Sequence, residues 1–226
     1  MKIIAALTAA LLTSTAFGGD TIVWNEVAAS SSGSKIVDDS NPATPVCQKF
    51  NPNRPELGGV QFIANGDTMS VLFSGVNINL GSNNRSGRAS CRVVIPARVA
   101  KGIYFAELQE DLTYGIVKSA GAEAKIFVSS KFAGWQVPGT GFTLTYPKGH
   151  GTEVNIPSDT ITNISDWTQN SGRFCGMNRN GISVNYIADF VMQGIKDNWS
   201  DTLIMSVDGL DLRYSSTLEY RKCDLR

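Results

Sequence analysis

Twenty basic residues balance twenty acidic ones over 226 positions. The chain therefore lacks the net positive field that nonspecific phosphate binding needs, and nucleic acid is not an expected partner. Hydrophobic residues make up 42% and charged residues 18%, ordinary for a globular chain with a real core, and the length admits one large all-β domain or two small ones.

The first stretch, "MKIIAALTAALLTSTAFGGD", has a basic start at Lys2, an apolar run from Ile3 to about Leu12, and small residues at Ala16 and Gly18. This is the pattern of a secretory signal peptide, 1–18, with cleavage after Gly18 or after Ala16. Its apolar part is too short to span a bilayer stably, and no later run reaches the length of a spanning helix. The expected location is secreted or extracellular, or periplasmic in a Gram-negative source. No transmembrane segment is expected after cleavage.

The segment 19–59 opens with a strand in "TIVWNEVAAS". It continues as a polar, flexible entry, "SSSGSKIVDDSNPATP", punctuated by Gly33, Pro42 and Pro45. From residue 60 the texture changes, and 60–226 reads as one β-sandwich domain. "VQFIANGDTMSVLF" is a hairpin signal around Asn65-Gly66-Asp67. Met69, Val71 and Phe73 share one face, as do Val76, Ile78 and Leu80. Cys91, Val93 and Ile95 share the next, and Pro96 is expected to end or bend that strand at an edge.

"GIYFAEL", "TYGIVKS", "AKIFVSSKF", "FTLTYP", "GISVNYI", "TLIMSVDG", "LDLRYSS" and "TLEYRKC" follow, mostly alternating and separated by turn residues. Together these make about ten to twelve short strands, the spacing of an all-β antiparallel sandwich of jelly-roll or immunoglobulin-like type. Helical turns are conceivable at Leu108–Leu112 and within "IADFVMQGIKDNW". Gly102 and Gly194 interrupt both, so little helix is expected.

Four cysteines, Cys47, Cys91, Cys175 and Cys223, include no C-x-x-C pair, which leaves zinc-knuckle and thioredoxin readings without support. An even number in an exported chain implies disulfides. Three pairings exist; joining sequence neighbours gives Cys47–Cys91 and Cys175–Cys223. Each bridge would be worth about 4 kcal/mol in the chain-entropy model. The first would staple a strand to the entry segment.

These cysteines carry a resemblance. "SCRVVIP…KG" (Ser90 to Gly102), "RFCGMN" (Arg173 to Asn178) and "LEYRKC" (Leu218 to Cys223), with Cys47 after a flexible entry, resemble the secreted family catalogued as domain of unknown function 4360, found in bacteria and fungi. The resemblance spans about 45 to 223. Two places differ from the family pattern: "ATPVC" lacks its glycines before the first cysteine, and Tyr220 stands where it has Trp. The resemblance implies a secreted, cysteine-stapled β-protein. It brings no established activity and no catalytic residue.

Residue chemistry assigns no catalytic group. The one histidine, His150, lies between glycines in a turn, and no G-x-S-x-G elbow is present. Glu107, Glu110, Asp111, Asp197, Asp201, Asp208 and Asp211 are the carboxylates from which a glycosidase pair would be drawn, but no context marks a pair. Asp197, Asp201, Asp208 and Asp211 also offer oxygen ligands in turns. Calcium is the cation such oxygens take, although Asp-rich turns have the same composition, and no metal or other cofactor is assigned.

Trp135, Trp167 and Trp199 sit among Gly, Ser, Asn and Asp. They are the ligand-binding candidates, because aromatic rings on loop ends stack on flat ligands; the competing role is capping the core. The expected function is non-enzymatic, a surface-interaction or structural role with a cell-surface glycan or protein as partner. The alternative is an extracellular hydrolase acting on glycans or cell-wall material through paired carboxylates.

Overall fold

Period-two alternation produces strands, and several are longer than the turn residues suggest. A computed structural model describes residues 22–25, 28–30, 47–55, 59–65, 68–74, 77–133, 140–206 and 212–223. They form two antiparallel sheets facing each other in a sandwich, with little helix and two disulfides.

The six-stranded sheet contains β1 (Ile22–Trp24), β2 (Ala28–Ser30), β6 (Ser86–Val99), β8 (Ala122–Ala133), β9 (Thr140–Tyr146) and β11 (Ile182–Lys196). Its order is β1–β6–β11–β8–β9, with β2 also beside β6. The seven-stranded sheet contains β3 (Gly59–Asn65), β4 (Thr68–Ser74), β5 (Asn77–Leu80), β7 (Ile103–Lys118), β10 (Val154–Asp166), β12 (Leu203–Ser206) and β13 (Leu212–Lys222).

Strand β7 is the spine of the second sheet. β10 runs along one of its edges, while β13 and then β12 pair successively along the other. The register of β10 slips between Ile156 and Asp159, around Pro157, and among the described strands β10 pairs only with β7. The hairpin joins Asn65 to Thr68; Gly66 and Asp67 lie outside the described residues, as does the whole of 1–18.

The core lies between the sheets. Val93, Ile95, Val184, Tyr186, Ile126 and Val128 come from one side, and Val71, Leu108, Leu112, Ile116, Leu203 and Met205 from the other, all buried. Each such side chain contributes about 1.5–3 kcal/mol of transfer free energy. Phe132 is a hub, with ring centroids of Phe105 at 4.7 Å and Tyr186 at 5.2 Å. Gly194 makes room for the Leu203 side chain where β11 passes beneath β12; a Cβ there would force that side chain to shift.

Three expectations change. Pro96 does not end its strand: β6 runs through it from Ser86 to Val99. The Pro96 carbonyl accepts the Asn25 amide (2.8 Å) just past the end of β1. In an antiparallel strand a residue's N and C=O point to the same side. The missing donor therefore falls in the gap between β1 and β2, not against β11. Of the two stretches considered for helical turns, Leu108–Leu112 lies within β7 and the second is strand β11 up to Lys196 and a turn beyond it, while "GIYFAEL" and "TYGIVK" fall on the one strand β7 of sixteen residues.

The α-helix instead is α1, Ser171–Met177, preceded by a 3-10 turn at Thr168–Asn170. So short a helix is marginal alone. Phe174 anchors it in the core, stacked on Tyr104 at 6.5 Å, and Cys175 bridges to Cys223 at the end of β13.

The bridges join Cys47 to Cys91 and Cys175 to Cys223. The first ties the chain before β3 to the inner face of β6. Two backbone bonds, Phe50 to Val60 (3.0 Å) and Val60 to Gln48 (2.7 Å), extend that attachment.

Candidate functional site

The sheet alternation that fills the core also dictates what the six-stranded sheet presents outward. Two cross-strand rows define the middle of that outer face. One is Arg88–Gln193–Lys125–Thr145, and the next is Ser90–Val191–Phe127–Thr143. Between them lies a depression of about 360 Å³ lined by Arg88, Lys125, Phe127, Thr143, Val191 and Gln193. That is within the size range of small-ligand sites.

Phe127 is 44% exposed on the middle of β8, not on a loop. Its neighbours Ile126 and Val128 are locked in the core, so the backbone that carries the ring is held from behind. Around the ring stand an amide, a hydroxyl, a guanidinium and an ammonium.

A third row contains Arg92 and Asp189. Arg92 Nε and Nη2 donate to the two Asp189 oxygens at 2.6 and 2.9 Å. This hydrogen bonding, with the carboxylate charge, pushes the Arg92 pKa further up. Lys125 pairs with Glu123 on the same strand at 2.6 Å. Both pairs are solvent-exposed, so each is worth only about 0–1 kcal/mol.

The tryptophans separate into three cases. Trp167 is 3% exposed and packs against Phe105 and Phe132, so its ring has no face left for a ligand. The polar residues before it in sequence belong to the end of β10 and those after it to the 3-10 turn and α1. Trp199 is 56% exposed, with the Arg85 guanidinium 5.8 Å from the ring centroid. Trp135 lies outside the described residues.

The aspartates serve the loop itself. Asp197 is ion-paired with Lys148. Asp201 accepts the Asn198 amide (2.9 Å) and the Ser119 hydroxyl (3.0 Å). The backbone bond from Asn198 is the largest influence holding its carboxyl below the usual range. The nearby carbonyls of Leu80, Gly81 and Trp199 accept from the buried Lys196 ammonium at 2.9, 2.9 and 3.3 Å. A lysine therefore already holds the cationic position at this end. Among the described residues no three His, Cys, Asp or Glu side chains form a metal-sized group. Asp208 and Asp211 lie outside the described residues.

The carboxylates of β7 do not form a pair between neighbours. Glu110 faces inward and is fully buried, accepting from Ser130 and from Tyr186 (3.2 Å) across the sandwich. Asp111 faces outward and accepts from Thr162 (2.6 Å). Period two puts the adjacent residues on opposite sides of the sheet. His150 is exposed in its glycine-flanked turn.

The site that sequence reading missed is the Phe127 depression. Phe127 reads as one more apolar residue in "AKIFVSSKF". The only available signal was that it falls out of phase with Ile126 and Val128.

Neither a family model nor a curated relative matches the chain. Among solved structures, the chain aligns with TmCBM61 in complex with β-1,4-galactotriose (6% identity, 72% of this chain and 81% of that one, TM-score 0.24). It aligns with the enzymatically active domain of tailspike protein 4 of bacteriophage CBA120 (8%, 87% and 19%, TM-score 0.25). A third alignment is with a family 11 carbohydrate-binding module from Clostridium thermocellum in complex with a β-1,3-1,4-mixed-linked tetrasaccharide (11%, 62% and 84%, TM-score 0.16). At these scores the alignments establish neither a family nor a ligand for this chain.

Proposed function

We propose that the protein is an exported, non-catalytic binding module that holds a glycan on the outer face of β6, β11, β8 and β9. The observation that carries this reading is Phe127, a half-exposed ring at a depression on a rigid sheet. An aromatic face takes up the C–H side of a sugar ring, while Gln193, Thr143 and Arg88 supply polar groups for its hydroxyls. Export and kinship with the domain-of-unknown-function 4360 proteins belong to the same proposal. They rest on the Lys2-led apolar start, the "SCRVVIP" passage and the oxidised cysteines.

The test is binding of purified protein to a panel of soluble and insoluble polysaccharides, for wild type and Phe127→Ala. Loss of retention in the variant, with an unchanged melting curve and no release of reducing ends by either protein, is the expected result. Equal retention of both proteins would remove the site.

A further inference from the structure

We infer that the ligand of this face is an anionic glycan, one carrying carboxylate or sulfate groups on its sugar rings. The inference rests on the binding role proposed for the same face and names its substrate class.

The chain as a whole is neutral, but its charges are not evenly distributed. Outward positions of β6 and β8 carry Arg88, Arg92, Arg98, Lys125 and Lys131, and those of β8 and β11 carry only Glu123 and Asp189. Among the described residues, the outward strand positions of this face thus carry five cations and two carboxylates. Both carboxylates are engaged, Asp189 by the Arg92 fork and Glu123 by Lys125. Arg88 has no carboxylate partner among the described residues.

The placement matters as much as the count. Arg88 and Lys125 lie in one cross-strand row with Gln193 between them. Two strand spacings separate them, about 10 Å. Both line the depression, and Phe127 lies one row away. A sugar ring over Phe127 would have both cations in the adjacent row, the Lys125 ammonium two residues along β8 and the Arg88 guanidinium two strands away across Gln193, for acidic substituents on that ring and its neighbour. A guanidinium matches carboxylate and sulfate in a two-point fork. The Lys125–Glu123 pair is exposed and weak enough for a ligand anion to compete for the ammonium.

Duplex DNA fits this face less well. Its backbone carries one charge per about 1.7 Å of axis, and that line of phosphates would run against Asp189 and Glu123. An acidic glycan presents the C–H faces of its sugar rings to the phenyl ring, which the phosphate backbone of a duplex does not.

The experiment measures dissociation constants of the purified protein for polygalacturonate, fully methyl-esterified polygalacturonate, dextran sulfate, unmodified dextran and duplex DNA, each at low and high salt. Tight binding to polygalacturonate or dextran sulfate, weakened by salt and lost on esterification or with plain dextran, supports the proposal, and the two acidic polymers separate carboxylate from sulfate recognition. Arg88→Gln should weaken acidic-glycan binding about tenfold. Glu123→Gln should strengthen it about threefold by releasing Lys125. Both positions are exposed, and melting curves check that each variant folds.

Equal binding of esterified and free polymer, still dependent on Phe127, would overturn the anionic inference and leave the glycan-binding role standing. No binding to any polysaccharide would overturn both. Tighter binding to DNA than to either acidic glycan, with the same Arg88 dependence, would overturn the glycan assignment in favour of nucleic acid.

Discussion

Trp167 stands edge-on to Phe132, with ring centroids 5.9 Å apart and planes at 87°. The Trp167 amide donates to the Ala106 carbonyl at 2.7 Å, which fixes the ring over the end of the core. Trp167→Ala should therefore cost about 3–5 kcal/mol, the range for deleting a buried aromatic. Denaturant midpoints measure it. Glycan retention under folding conditions should not change, and a variant that keeps its stability but loses binding would contradict the capping role.

The two bridges close sequence separations of 44 and 48 residues. Replacing either pair by serines should lower unfolding free energy by about 4 kcal/mol, the chain-entropy value for such loops. The second pair does more locally, because it holds α1 against the end of β13. Its removal should increase amide exchange in 171–177 ahead of global unfolding. Uniform protection there would show that Phe174 alone is sufficient.

Tyr114 sets an alkaline limit. Burial, then the hydrogen bond from Tyr146 (2.8 Å), raises its phenol well above the usual tyrosine range, with a further contribution from Asp159 (3.1 Å). A raised folded-state pKa means that the native state keeps a proton that the unfolded chain loses. The contribution is complete below about pH 10, the unfolded value, and declines as pH rises past it. Tyr114→Phe should make stability flatter above that pH. The phenolate absorbance that Tyr114→Phe removes should come from the high-pH end of the wild-type titration. Simultaneous ionisation of all six tyrosines would refute the shift.

Lys196 is 1% exposed and donates to three carbonyls. Lys196→Met keeps the apolar stem but leaves buried acceptors without a donor. A loss of about 3 kcal/mol is expected, with each unsatisfied group costing about 1–3. If added calcium restored the stability of this variant, the carbonyls would be acting as a cation site after all; no such rescue is expected.

Much of the architecture is legible in the chain. Ile78 and Leu80, Cys91 and Ile95, Met69 and Phe73 each announce a buried face by period two, and the cysteine spacing indicates the staples. What sequence hides is whatever depends on a partner strand. Pro96 looks like a terminator until the gap between β1 and β2 accounts for its missing donor. Trp167 looks exposed because its neighbours in sequence are polar, whereas its neighbours in space are Phe105 and Phe132. The cations of the outer face are invisible as a group, since Arg88 and Lys125 are 37 positions apart and only the register through Gln193 brings them into one row.

The edge strand β10 has a consequence for crowding. Thirteen residues with one side unpaired among the described strands are a template on which a second copy could extend the sheet. Pro157 withholds a donor there, and the slip between Ile156 and Asp159 breaks the straight run into two short pieces. Copies held side by side along a polymer would thus remain separate molecules, free to detach one at a time, instead of fusing through their backbones into a fibre.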